Sequence, residues 1–162
     1  MTAVGRILVT CLALVVLYVA APVDTRTTVG AVTVMAVAAA VFAAVFTHHV
    51  RALHHTPYPI LRAANLLATT LTLFILGFSL TYLALAQADP DAFSEPLGKV
   101  SAVYFTVTVL ATVGFGDITA TTDVTRAVVT LQMLSGITLL GVLVRYVVGL
   151  TSKRVRGLQN GA

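Results

Sequence analysis

The sequence has few charged residues for its length. Asp, Glu, Lys and Arg make up 10% of its 162 residues, whereas a soluble domain usually carries about 25%. So few charges cannot cover the surface of a globule of this size, which excludes a soluble enzyme or a nucleic-acid-binding domain despite the net charge of +4. Tryptophan is absent, and the single cysteine, Cys11, excludes an intrachain disulfide. Because 58% of the residues are hydrophobic, a disordered chain is excluded as well, and the sequence predicts an integral membrane protein.

Four apolar segments approach or exceed the length of about 20 residues that a helical membrane span requires. They are continuous rather than alternating, which favours helices over outer-membrane strands. The segments are residues 6–21, 28–46, 63–86 and 124–149. A second interpretation of the first segment is a cleaved signal peptide, but the proline that follows Ala21 argues against cleavage. The predicted fold is all-α, with four transmembrane helices.

A fifth apolar segment, residues 96–111, is too short to span a bilayer at 1.5 Å per residue. This length is typical of a re-entrant or buried helix. Ser94, Glu95 and Pro96 resemble a helix start, because they supply a capping hydroxyl, an acid in the first turn and an early proline.

The short segment leads into Thr-Val-Gly-Phe-Gly-Asp at residues 112–117. Backbone carbonyls replace the water shell of a cation only if successive residues point the same way, and glycine alone takes positive φ without steric cost. Gly114 and Gly116 therefore permit a cation filter, and the carboxyl end of the preceding helix adds a favourable dipole. A lone Gly-x-Gly is more often a turn. Here, however, all six residues of the segment match a known channel-filter motif and follow a short helix, which favours the filter. The predicted K⁺ ligands are the carbonyls of Thr112, Val113, Gly114 and Phe115 with the Thr112 hydroxyl; Gly116 completes the loop, and Asp117 lies at its mouth.

Residues 61–156 resemble the pore module of the tetrameric potassium channels, and in particular the small two-helix, proton-gated bacterial type. The matching pieces are residues 112–117 and Ser-Gly-Ile-Thr-Leu-Leu-Gly at residues 135–141. The resemblance implies a homotetramer in which four filter loops surround one pore, passive K⁺ conduction, no enzymatic chemistry and no organic cofactor. It also implies a bending point in the inner helix at Gly136, which lies 22 residues after Gly114. Gly141 is predicted to serve close helix packing instead.

The sequence departs from this family's pattern at several points. Thr108 stands where the proton-gated type has a glutamate behind the filter, and Phe115 replaces a tyrosine whose hydroxyl braces the filter against the pore helix. We divide the chain into residues 1–59, with two additional helices and a loop, and residues 60–162, the pore module. The additional helices lack the regularly spaced arginines of a voltage sensor, so we expect them to pack around the pore.

The distribution of Lys and Arg predicts a multi-pass protein of the cell membrane with both termini on the cytoplasmic side. Arg145 then lies near the inner headgroups, where a snorkelling side chain is favoured over a charged ring at the cytoplasmic mouth. Four histidines follow the second helix, and a solvated loop is favoured there over a pH sensor. These histidines are His48, His49, His54 and His55.

Two alternative functions remain open. A weakly selective cation channel would use the same loop. A four-helix proton-coupled transporter would need a carboxylate within a span, and none of the four segments contains one. Besides the other copies of the chain, membrane lipid is an expected partner. We expect neither a nucleic-acid partner nor a soluble regulatory domain in this chain.

Overall fold

The computed structural model describes the backbone of residues 3–20, 27–52 and 59–159, and the side chains of residues 9–20, 27, 29–45, 47, 65, 67–141 and 145. It contains five helices, which are α1 (Ala3–Ala20), α2 (Thr28–Ala52), α3 (Pro59–Ala88), α4 (Lys99–Leu110) and α5 (Asp123–Gln159). Within these residues there is no strand, only an isolated antiparallel bridge between Phe93 and Ala120. The prediction of an all-α protein is confirmed.

Helix α3 packs against each of the other four helices. Its aromatic residues Phe74, Phe78 and Tyr82 are spaced four residues apart and so lie on one face. Tyr82 packs edge to face against Phe105 of α4, with ring centroids 5.1 Å apart, and against Phe93, at 5.7 Å. These buried rings hold α4 and the loop before it against α3.

Two described helical stretches are long and apolar enough to cross a membrane. They are Leu67–Ala88 in α3 and Asp123–Gly141 in α5, and they correspond to the third and fourth apolar segments of the sequence. The described apolar parts of α1 and α2, Val9–Ala20 and Val29–Val45, are shorter, so the crossing of these two helices stays a prediction. Helix α5 continues to Gln159, well past the predicted end at residue 149.

The start of α4 differs from the prediction. The helix begins at Lys99 after the N-cap residue Gly98, not at Pro96. The Ser94 hydroxyl instead accepts a hydrogen bond from the Thr119 N–H at 2.9 Å, and the Ser94 N–H donates to the Thr119 carbonyl at 3.0 Å. The segment before α4 thus pairs with the segment after residue 117, because each satisfies the polar groups of the other, and the helix begins only after this pairing ends.

Candidate functional site

In the loop that follows α4, every second residue from Thr112 to Gly116 has a positive φ. The values are +58° at Thr112, +54° at Gly114 and +79° at Gly116. The positive φ at the two glycines is confirmed. Thr112 was not predicted to share it, since a residue with a side chain is strained there by about 1–3 kcal/mol and persists only where its surroundings impose the conformation.

The carboxyl end of α4 determines which way the loop's peptide groups point. The N–H groups of Val113 and Gly114 both donate to the Thr108 carbonyl, at 3.0 and 3.3 Å. In a trans peptide unit the carbonyl points opposite to the N–H of the same unit, and the described chain has no cis bond. The carbonyls of Thr112 and Val113 therefore both point away from α4.

A tyrosine of α4 braces the far end of the loop. The Tyr104 hydroxyl donates to Asp117 Oδ2 at 2.6 Å, and the Ile118 N–H donates to Oδ1 at 3.0 Å. The Tyr104 ring also stacks on Phe115, with centroids 6.3 Å apart and planes within 3°. The Tyr104 hydroxyl, and after it the Ile118 N–H, hold the pKa of Asp117 below its usual value.

The loop is held against α4 by a hydroxyl although Phe115 stands in place of a tyrosine. Phe115 lacks a hydroxyl, but α4 supplies one from Tyr104 to the neighbouring carboxylate. Sequence reasoning missed Tyr104. Its signal was a lone phenol in a short apolar helix, 13 residues before an acid.

A second unforeseen group joins three helices behind the loop. Gln132 of α5 is fully buried. Its amide donates to the Thr106 carbonyl of α4 at 2.9 Å, and its oxygen accepts a hydrogen bond from the Tyr82 hydroxyl of α3. The Thr106 hydroxyl lies 3.0 Å from that of Ser79, also in α3. The sequence signal was a glutamine inside a predicted membrane span.

Gly136 of α5 packs against Leu110, the last residue of α4. A Cβ added at Gly136 would lie 2.9 Å from Leu110 Cδ1. Gly136 also lines one cleft together with Thr108, Thr112 and Gly114. At Gly141 an added Cβ would meet nothing within 4 Å, so the expectation of close packing at Gly141 is not met within the described chain, and Gly136 is the closely packed glycine.

The remaining predicted residues lie away from the loop or outside the residues that the structure describes. Arg145 is exposed on α5. His48 and His49 fall in α2, but their side chains are outside the described set, and His54 and His55 lie outside the described residues. Across the part of the chain whose side chains are described, no three His, Cys, Asp or Glu residues are grouped to hold a metal ion.

Comparison with known proteins agrees with this geometry. No curated protein and no solved structure matches the chain. The sequence model of one family, described as ion channel, matches residues 68–153, from α3 through the loop into α5. This match covers more than half of the 162 residues. The chain therefore belongs to this family of ion channels with two transmembrane helices, which includes potassium channels.

Proposed function

We propose that the protein is a potassium-selective channel in which four copies surround one pore. The observation that carries the proposal is the pair of hydrogen bonds from Val113 and Gly114 to the Thr108 carbonyl, combined with positive φ at alternate residues. Together they align successive carbonyls on the side of the loop away from α4. The carbonyls of Thr112, Val113, Gly114 and Phe115 are the proposed ligands of the permeant K⁺.

Aligned carbonyls suit a large monovalent cation. Each oxygen replaces one water of the ion's hydration shell, and a row of them lets the ion pass from one ligand set to the next without rehydration. Gly116 ends the row, and the Asp117 carboxylate at its mouth attracts cations toward it. Conduction is passive, down the electrochemical gradient, and requires no bond to be made or broken.

The exposed surface of the loop supports assembly from several copies. Val113 is 54% and Phe115 70% exposed in the single chain, although both are apolar. Met133 and Ile137 of α5 are also exposed, at 47% and 65%. One chain supplies one loop, so we propose that closed fourfold symmetry places four loops on the axis and covers these residues.

In this channel α3 and α5 cross the membrane, and α4 is a re-entrant pore helix between them. Helices α1 and α2 cross as accessory helices, with both termini on the cytoplasmic side. Residues 60–162 form the pore module. Gly136 is the proposed bending point of α5, and Arg145 snorkels to the inner headgroups.

The test is a reversal potential in lipid bilayers that contain the purified protein, with K⁺ on one side and Na⁺ on the other. We expect a value close to the K⁺ equilibrium potential. A value that follows Na⁺ equally would replace this proposal with a weakly selective cation channel. A current that requires a proton gradient would replace it with a proton-coupled transporter.

A further inference from the structure

The carboxyl end of α1 and the amino end of α4 are hydrogen-bonded to each other in both directions. The Tyr18 hydroxyl donates to the Lys99 carbonyl at 2.7 Å. In return, the Lys99 ammonium donates to the Val19 carbonyl. Tyr18 is 5% exposed. These residues lie 80 or 81 positions apart in the sequence, and we call the contact of Tyr18, Val19 and Lys99 the α1–α4 clasp.

The positive charge of Lys99 is favourable at the end of α1 but unfavourable at the start of α4, its own helix. Lys99 is the first residue of α4, and a cation is unfavourable at a helix N-terminus, where the dipole is positive. The Val19 carbonyl belongs to the last turn of α1, where carbonyls lack partners within the helix and a cation is favourable. The position of Lys99 is therefore explained by what it does for the junction of the two helices.

The clasp acts at one end of a short helix whose other end holds the filter loop. Helix α4 has 12 residues, and its Thr108 carbonyl receives the N–H groups of Val113 and Gly114. Its N-cap residue, Gly98, has no side chain with which to fix the helix start. A shift at Lys99 would be passed along this packed, hydrogen-bonded helix to Thr108 and to the loop bonded to it.

We propose that α1 stabilises the conducting conformation of the filter through the α1–α4 clasp, and that release of the clasp lets the filter stop conducting. Tyr18 and Lys99 are positioning residues, because neither contacts the permeant ion. The inference rests on the proposed channel function, and it assigns to the first helix a control of conduction that requires no voltage-sensing charge.

The experiment compares variants that remove the clasp with matched controls. Tyr18→Phe removes one hydrogen bond, and Lys99→Met removes the other. Lys99→Arg keeps a cationic donor at the same position. The control Thr72→Val removes a polar contact between α1 and α3, where Thr72 Oγ1 lies 3.6 Å from Cys11 Sγ, and leaves α4 untouched. The readouts are the decay of K⁺ current during sustained opening and the reversal potential.

We expect Tyr18→Phe and Lys99→Met each to speed the decay about fivefold, the change that corresponds to one hydrogen bond of ordinary strength. The reversal potential should not change, and Lys99→Arg and Thr72→Val should decay like the parent protein. Unchanged decay in both clasp variants would overturn the inference. So would an equal effect of Thr72→Val, because the clasp variants would then only loosen the packing of α1.

Hydrogen exchange of the tetramer in lipid nanodiscs tests the clasp without requiring current. We expect the amides of residues 102–106 to exchange about fivefold faster in both clasp variants than in the parent protein. Unchanged exchange would overturn the inference even if the variants fail to conduct. If the parent protein itself carries no selective K⁺ current, the proposed channel function fails, whereas the exchange rates still report whether α1 holds α4.

Discussion

Tyr104 and Asp117 are joined by a hydrogen bond of 2.6 Å across 13 residues of chain. The same tyrosine stacks its ring on Phe115, so one side chain of α4 holds the loop at both Phe115 and Asp117. At the other end of the loop, the Thr108 carbonyl of the same helix receives two N–H groups. Helix α4 therefore fixes both ends of residues 113–117.

Tyr104→Phe should speed the decay of K⁺ current during sustained opening and leave the reversal potential unchanged. The substitution keeps the stacked ring and removes only the hydroxyl that holds Asp117. The measurement is the time course of macroscopic current in reconstituted bilayers. The control Asp117→Asn keeps an acceptor oxygen without the charge. A decay that is normal in Tyr104→Phe but fast in Asp117→Asn would assign the effect to the charge and contradict the role of the bond.

The external pH dependence should follow the lowered pKa of Asp117. Because this pKa lies below the ordinary value of 3.8, the contribution of the Tyr104–Asp117 bond to stability is complete above about pH 4. It is lost as the pH falls through the lowered pKa. In Tyr104→Phe the pKa should rise toward its ordinary value, and the acid-induced loss of current should begin at higher pH. The check is an external pH titration of both proteins; coincident curves would show that the hydroxyl does not stabilise the carboxylate.

Gly114→Ala should abolish selective K⁺ current. Gly114 has a φ of +54° and open space around its missing Cβ, so the penalty is conformational, about 1–2 kcal/mol in each subunit. Gly98→Ala is the matched control, because Gly98 also has open space but a φ of −89° that alanine adopts freely. The measurement is the reversal potential between K⁺ and Na⁺. Normal selectivity in Gly114→Ala would remove the filter geometry as the basis of selectivity.

Gly136→Ala should lower the open probability and leave unitary conductance and selectivity nearly unchanged. Glycine in mid-helix is destabilising by about 0.5–1 kcal/mol relative to alanine, so replacing it by alanine makes α5 stiffer. The structure adds a second cause, since the new Cβ would lie 2.9 Å from Leu110 Cδ1. Leu110→Val removes that atom. If Gly136 is the bending point, single-channel recordings of the double variant should still show a low open probability. Recovery of normal opening would identify Gly136 as a packing residue.

Gln132→Leu should lower the thermal stability of the protein. The substitution leaves the buried Tyr82 hydroxyl without its acceptor, which costs about 1–3 kcal/mol in each subunit. Adding Tyr82→Phe removes the unsatisfied hydroxyl and should recover most of the loss. Thermal unfolding followed by circular dichroism in detergent measures both. A double variant less stable than Gln132→Leu alone would show that Tyr82 contributes through its other contacts.

The sequence by itself determined the class of the protein and the position of the loop in its candidate site. A chain with so few charges and such long apolar runs cannot form a soluble globule. The two glycines in residues 112–117 permit positive φ, which the structure has at Gly114 and Gly116. These inferences succeeded because hydrophobicity and glycine's conformational freedom are properties of single residues and short segments. For the same reason, the role of the four histidines at residues 48–55 stays a prediction, since nothing local to them distinguishes a pH sensor from a solvated segment.

Only the tertiary structure decided how the loop is held. The start of α4 depends on the pairing of Ser94 with Thr119, and the brace of the loop comes from Tyr104. The positive φ of Thr112 is imposed by the hydrogen bonds that the following N–H groups donate to the Thr108 carbonyl at the end of α4. The clasp joins Tyr18 to Lys99 across 81 residues. The contacts of Ser94 with Thr119, Tyr104 with Asp117 and Tyr18 with Lys99 join segments that are separate in the chain. Their energies depend on how α3 brings these segments together, which no local pattern of residues encodes.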